Sequence, residues 1–108
     1  MASIEDFKKI EIRIGEILSV QAVPDSEKLL KLAVSFGSLG ERQIIAGIKT
    51  YFSDPTFLVG KKCSFVFNLE TRTIFGLESQ GMILCASEGE KFSLLEAQAD
   101  IPAGSLVK

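Results

Sequence analysis

The sequence predicts an all-β fold, because apolar and polar residues alternate with a period of two in several short runs. Glycines at 37 and 40 separate two of these runs by a four-residue turn, which is typical of a β-hairpin. The length of 108 residues fits one domain covering residues 1–108.

The first predicted strand is long and interrupted. Isoleucines alternate over 10–14, Gly15 breaks the pattern, and apolar residues resume up to Val20. A glycine inside a strand indicates a bulge or a bend, and a bent strand can take part in both sheets of a small barrel. A short helix over 4–9 is expected before this strand.

Four further strands are predicted over 30–36, 41–48, 63–69 and 82–86. Asp54-Pro55 marks a short helix between the third and fourth strands, because proline is favoured at the first helical position. The apolar tail over 92–107 is expected to add one or two short strands. This order predicts a five-stranded OB-fold barrel, whose outer face and loops bind oligonucleotides or oligosaccharides. A β-sandwich is the alternative.

The composition argues against catalysis. The chain has no histidine, no glycine-rich phosphate loop and no nucleophile elbow. We therefore expect no enzyme activity, no cofactor and no metal site. Cys63 and Cys85 lack metal-ligand spacing and are expected to be buried, reduced thiols of a cytoplasmic protein. No apolar run reaches about 18 residues, so no membrane-spanning helix is predicted.

The connection over 68–81 is the predicted functional element, since a long polar loop between strong strands is more often functional than idle. Cations from several elements map to the same predicted face: Lys28, Lys31, Arg42, Lys49 and Arg72. The net charge of −2 argues against indiscriminate binding of polyanions, but it allows a local basic patch. Glu27, Glu41 and Glu70 adjoin the cations and could neutralise them.

Uncharged polar residues stand at the two ends of this connection: Asn68, Ser79 and Gln80. Such groups can bond to sugar hydroxyls and base edges, or they can cap turns. The thioether of Met82 suits either a contact surface or the core. Phe75 and Tyr51 are candidate platforms for stacking a base. Oligosaccharide binding is disfavoured, because the chain has one tyrosine and no tryptophan.

A set of motifs in this chain resembles a known family. The motifs are D-F at 6–7, I-E-I-R-I-G at 10–15, S-E-K-L-L-K-L at 26–32, R-Q-I-I-A-G-I at 42–48, L-V-G-K-K at 58–62, N-L at 68–69 and E-S-Q-G-M at 78–82. Their order and distances resemble those of the structure-specific tRNA-binding domain family. That family includes free-standing dimeric tRNA-binding proteins and the C-terminal domain of methionyl-tRNA synthetase.

The resemblance implies an OB-fold that binds tRNA by shape, with little sequence preference. It also implies homodimerisation through segments outside the barrel, and methionyl-tRNA synthetase as a partner in aminoacylation. The binding residues that it implies by position are Lys28, Arg42, Asn68, Ser79 and Met82. The charge and polarity of the predicted face add Lys31, Arg72 and Gln80.

The chain departs from the family pattern beside its loop arginine. Thr71 and Thr73 stand where the family usually has a proline and a second basic residue, so a lower affinity for RNA is expected. A chaperone or protein-interaction module of the same fold is the alternative function, suggested by the acidic balance and the apolar ends. Met1 favours a free-standing protein over a fragment of a longer synthetase.

Overall fold

The computed structural model describes residues 1–98 and 100–108, and in them it shows one α-helix and ten β-strands. They are α1 Ile4–Lys8, β1 Ile12–Ala22, β2 Leu30–Ser35, β3 Glu41–Ala46, β4 Lys62–Val66, β5 Arg72–Ile74, β6 Leu77–Ser79, β7 Met82–Ile83, β8 Cys85–Glu88, β9 Lys91–Leu94 and β10 Leu106–Val107. In this part of the chain, no helix has the length and apolar character needed to cross a membrane.

One antiparallel sheet curls into the body of the fold, with the strand order β3-β2-β1-β4-β7 and β10 added to β1. β1 pairs with β4 from Ile12 to Glu16 and with β2 from Glu16 to Ala22. The strand therefore belongs to both walls of the curled sheet, as its length predicts. The all-β, OB-like architecture with extra C-terminal strands is confirmed.

The shape of β1 has two separate causes. Gly15 lies where no side chain fits, because a Cβ atom there would come within 2.6 Å of Val34 and 2.8 Å of Phe36. The register with β2 shifts further along, between Ile17 and Ser19, which is the geometry of a β-bulge. The glycine therefore permits close packing in the core, and the bulge lies beyond it.

The core lies between the two walls of the sheet. Leu30, Leu32 and Val34 alternate along β2 and are fully buried, as the period of two predicts. Cys63 and Cys85 are free thiols, the first buried and the second half-buried. Burial raises the pKa of the Cys63 thiol to about 12, so this thiol stays protonated at neutral pH.

The segment between β3 and β4 forms two 3₁₀ turns, Lys49–Tyr51 and Pro55–Leu58. The second turn is the predicted short helix, and Asp54 caps it by accepting a hydrogen bond from the backbone N–H of Thr56. The fifth predicted strand, 82–86, divides into β7 and β8, because β8 leaves the main sheet to pair with β9. The tail supplies β9 and β10, in agreement with its apolar character.

The connection over 68–81 is a hairpin rather than an open loop. β5 and β6 pair with Arg72 opposite Ser79 and Ile74 opposite Leu77, and they are joined by Phe75 and Gly76. These two residues have φ values of 54° and 79°, and positive φ at both positions is the signature of a type I′ turn. The hairpin was not predicted, because phenylalanine is not a usual residue for the first of these positions.

Side chains from the end of this hairpin close the free edge of β3. The Ser79 hydroxyl accepts a hydrogen bond of 3.0 Å from the backbone N–H of Ile45. Gln80 binds Gln43 twice, since its Oε1 accepts from the Gln43 N–H at 2.9 Å and its own N–H donates to the Gln43 carbonyl at 2.8 Å. These bonds occupy edge groups that would otherwise be available to pair with another strand. The hairpin is thereby fastened to the barrel.

Ser79→Ala is expected to destabilise the fold and loosen this edge. It leaves the buried Ile45 N–H without an acceptor, which costs about 1–3 kcal/mol. Urea unfolding should show the lower stability, and hydrogen exchange should show a faster-exchanging Ile45 amide. Ser87→Ala, at an exposed serine of β8, is the matched control and should change neither quantity. An Ile45 amide that exchanges as slowly in Ser79→Ala as in the wild type would contradict this role.

Candidate nucleic-acid interface

A shallow groove runs along the outer face of β1, β2 and β3. Its volume is about 340 Å³, and its polar lining consists of Ser19, Gln21, Lys31, Glu41, Arg42 and Gln43. Lys31 stands in the middle of this face, opposite Gln21 on the neighbouring strand β1. Three of these residues were not predicted from the sequence as site residues: Ser19, Gln21 and Gln43. The alternation of inward and outward side chains along β1 and β3 would have placed them on this face.

The β5–β6 hairpin borders the same face. Leu77 of β6, Lys31 of β2 and Pro24 of the β1–β2 loop line a hollow of about 250 Å³. Arg72 pairs with Ser79, and residues directly opposite each other share a face of the ladder. Because Leu77 and Ser79 are two residues apart on β6, the side chains of Arg72 and Leu77 lie on the same face of the hairpin. The β1–β2 loop, the middle of β2 and the hairpin therefore meet around Lys31, as the OB-fold layout predicts.

Two further lysines adjoin this surface at the end of the β1–β2 loop. The backbone N–H of Lys49 donates to the carbonyl of Lys28 at 3.0 Å, which holds the two residues side by side. Lys28 is exposed and Lys49 is half-buried. On the other side of the hairpin, Met82 begins β7 with 42% of its surface exposed, so its thioether belongs to the surface rather than the core.

Arg42 is among the residues that line the groove, as expected from the sequence, but its guanidinium packs at the end of the barrel. It stands opposite Val34, whose side chain is buried, so the alternation of β3 turns both side chains inward. The Arg42 guanidinium carbon lies 3.6 Å from the centroid of the Phe67 ring. Its Nη1 atom donates to the carbonyls of Phe67 and Gln80. Arg42 therefore sits at the end of the barrel, beneath the base of the hairpin.

Ser79 does not present a free hydroxyl, and of the Gln80 side chain only the amide nitrogen lies outside the described hydrogen bonds. Ser79 is only 3% exposed, and its hydroxyl, besides accepting from β3, donates to the carbonyl of Gly81 at 3.0 Å. The side-chain oxygen of Gln80 is bound to β3. These two side chains hold the hairpin in place.

Asn68 follows Phe67, against which Arg42 packs, and its own side chain binds the segment after α1. Its Oδ1 accepts from the Glu11 N–H and its Nδ2 donates to the Lys9 carbonyl, both at 2.8 Å. Although it is exposed, it lines a hollow beside α1 together with Phe7 and Leu106. Asn68 therefore links the end of β4 to the segment that follows α1. This structural role is close to the turn capping that the sequence suggested as the alternative to RNA contact.

The cations of the chain fall into two classes by their ion pairs. Those in ion pairs are Lys9, Arg13, Lys61 and Lys62, whereas Lys8, Lys91 and Lys108, which lie away from the predicted face, take part in no described ion pair. Among the residues that the structure describes, none of the five cations predicted for the face lies within 4.0 Å of a carboxylate oxygen. The neighbouring acids Glu27, Glu41 and Glu70 therefore do not neutralise them through direct pairs. Such cations can meet an incoming anion without breaking an existing ion pair.

The known sequences that resemble this chain are parts of larger proteins. Methionine–tRNA ligase of Methanococcus aeolicus is 44% identical over 107 residues, which are 99% of this chain and 16% of the relative. Methionine–tRNA ligase of Methanospirillum hungatei JF-1 is 47% identical over 106 residues, which are 98% of this chain and 15% of the relative. The chain thus spans about a sixth of the length of these curated relatives.

Two known structures resemble this chain over its whole length. A MetRS-related protein from Pyrococcus horikoshii has a TM-score of 0.92 and 33% identity, covering 100% of this chain and 98% of that one. The CsaA chaperone protein of Picrophilus torridus has a TM-score of 0.87 and 31% identity, covering 100% of both chains. The model of the putative tRNA-binding domain family matches residues 12–106, and the chain therefore belongs to the tRNA-binding domain family.

Proposed function

We propose that this chain is a tRNA-binding module without catalytic activity of its own. In this proposal it recognises folded tRNA mainly by shape and charge, with little sequence preference, and it assists aminoacylation in the cytoplasm. One observation carries the proposal: within the described part of the chain, Lys31 lines both the groove and the hollow beside the hairpin and takes part in no ion pair. Family membership supports it.

The proposed roles follow from where each side chain lies. Lys28, Lys31 and Arg72 contact phosphates: Lys31 lines the groove, Arg72 lies in the hairpin, and the exposed Lys28 lies near the end of the β1–β2 loop. Both hydrogen bonds that Arg42 donates to carbonyls of the described residues use its Nη1 atom. The other N–H groups of its guanidinium are therefore free to donate to the bound RNA. Met82 supplies an apolar contact. A further set acts indirectly, by positioning the hairpin or the N-terminal segment: Ser79, Gln80 and Asn68.

The number of phosphates within reach implies a modest affinity for one face. About three to five phosphates per chain give a binding constant that falls steeply with salt. Thr71 and Thr73 lower it further, since the family usually places a basic residue beside the hairpin arginine. A second copy of the chain would supply a second face for the same tRNA, and the affinity would rise through effective concentration.

The proposed dimer surface consists of α1 and the C-terminal strand β10. Phe7, Ile10 and Leu106 line a hollow of about 280 Å³ there, and each is more than 40% exposed. Ile4 on the same short helix is 61% exposed. Adjacent exposed apolar side chains of this kind mark interaction sites. This surface lies outside the strands that carry the cations, so pairing of two chains would leave both RNA-binding faces accessible.

The proposed partner in aminoacylation is methionyl-tRNA synthetase. Its support is that the matching segments of the relatives are parts of proteins named methionine–tRNA ligase. A chain that binds tRNA without selecting its sequence would raise the local concentration of tRNA beside a catalytic domain, whereas the choice of tRNA would rest with the synthetase.

A chaperone function is the second candidate, and the likeness to CsaA chaperone proteins of Picrophilus torridus and Bacillus anthracis favours it. The apolar surface of α1 and β10 would then bind unfolded protein rather than a second copy. The two functions separate experimentally, because the chaperone function does not depend on Lys28 or Lys31. Suppression of client aggregation without any binding of tRNA would establish it.

Lys31→Ala and Arg72→Ala are each expected to weaken tRNA binding and to lower its salt dependence. The slope of log affinity against log salt concentration should fall by about 1 for each phosphate that the variant no longer neutralises. Titrations at several salt concentrations measure it. Lys91→Ala, at an exposed cation of the separate β8–β9 hairpin, is the control and should leave the slope unchanged.

The same titrations test recognition by shape. Folded tRNA should bind more tightly than an unstructured RNA of equal length. Equal affinity for the two RNAs would contradict shape recognition, and binding of neither would reject the RNA-binding function.

Phe7→Asp is expected to separate the dimer into single chains of 11.8 kDa. A charge in this surface would have to lose its hydration if the surface were buried between two copies, which disfavours the dimer. Gel filtration with light scattering measures the mass. Phe57→Asp, at a phenylalanine that is 62% exposed on the turn before β4, is the control and should leave the mass unchanged. A wild-type chain that stays monomeric with and without tRNA would overturn the proposed dimer.

A further inference from the structure

Phe75, at the tip of the β5–β6 hairpin, combines two unfavourable features. Its side chain is 59% exposed, so most of its apolar surface stays in water. Its backbone has a φ of 54°, in the left-handed region, where a bulky residue is an outlier. Strain of this kind tends to persist at binding sites, where the conformation itself has a use.

A more stable choice was available at this position. Type I′ turns favour asparagine, aspartate or glycine at their first central residue, and Gly76 already meets this preference at the second. A phenylalanine in the first position gains neither a relaxed backbone nor a buried side chain. Stability of the hairpin therefore does not account for it.

The other ring-to-ring contacts show what Phe75 lacks. Phe36 packs edge-on against Phe65 and Phe67 in the core, and Tyr51 stacks on Phe92 at a centroid distance of 4.1 Å. Among the residues that the structure describes, no aromatic ring packs against Phe75 in this way. Its ring is therefore available to a ligand.

The surroundings of Phe75 are those of a site for a nucleic acid. The stem of the hairpin carries Arg72, and Leu77, two residues beyond Phe75, lies beside Lys31. Neither cation has a carboxylate partner among the described residues. An aromatic ring flanked by cations that hold a phosphate backbone is the arrangement that single-stranded nucleic acids require.

We propose that Phe75 is a stacking platform for one unpaired base of the bound RNA. The proposal rests on the tRNA-binding function proposed above and deepens it, because it names a single-stranded nucleotide as part of what is bound. A base must be free of its own helix to stack on a side chain, so the loops or the single-stranded end of a folded RNA would supply it. Stacking is tolerant of sequence, since each base has a π-face.

The first test separates binding from stability with Phe75→Asn. Asparagine suits the left-handed turn, so the variant should unfold at the same temperature as the wild type or at a higher one. Its affinity for tRNA should fall roughly 5- to 100-fold, as expected for the loss of one stacked base. Phe57→Asn removes another highly exposed phenylalanine and should leave the affinity unchanged.

The second test observes stacking directly. The chain contains no tryptophan, so Phe75→Trp introduces one fluorophore at the tip of the hairpin. Its fluorescence should be quenched as tRNA is added, and its affinity for tRNA should stay within a few-fold of the wild type. Phe57→Trp is the control, and its fluorescence should not change on addition of tRNA.

The outcomes distinguish this inference from the proposed function. Phe75→Asn binding tRNA as tightly as the wild type, or unquenched Phe75→Trp at saturating tRNA, would overturn the inference and leave the function standing. A wild-type chain that binds no tRNA would remove the function, and the inference with it. Phe75→Asn that loses binding of an unfolded protein client while keeping its tRNA affinity would also overturn it, in favour of a protein contact.

Discussion

The fastening of the hairpin to β3 is the interaction on which the rest of the surface depends. The side chains of Ser79 and Gln80 accept hydrogen bonds from the edge N–H groups of Ile45 and Gln43. These side-chain bonds close the barrel at a place where a regular strand ladder is absent. The close approach also requires Gly81, where a Cβ atom would lie 2.8 Å from the Val66 carbonyl oxygen. Without these contacts the hairpin would have no fixed position relative to Lys31.

This arrangement lets an acidic protein present cations that are in no direct ion pair. The net charge is −2, and a uniform distribution of charge would repel RNA. The described ion pairs instead involve Lys9, Arg13, Lys61 and Lys62, while the cations near the hairpin stay unpaired. Exposed ion pairs contribute little stability, so leaving cations unpaired costs the fold little. It does favour binding of phosphates at one place on the surface.

The strands were predicted well from the sequence, because apolar and polar residues alternate along a strand such as β2 in step with which side chains are buried. Lys31 was placed on the outer face from the alternation of β2, and it lines the groove there. Arg42 lines the groove as predicted, but its guanidinium packs against Phe67, which its spacing from the buried Ile44 indicates. Ser79 could not be interpreted in the same way, since its hydrogen-bond acceptor role depends on an N–H group 34 positions away. The hairpin was missed because its turn contains a phenylalanine.

The central claim is that the fastened hairpin and the outer face of β2 form one surface for folded RNA. Amide chemical-shift mapping of the isotope-labelled chain during a tRNA titration tests it most directly. The account predicts that the perturbed amides cluster over 28–31 and 72–77, while those of the β8–β9 hairpin over 85–94 stay unchanged. Perturbations concentrated in the β8–β9 hairpin, or confined to α1 and β10, would contradict it.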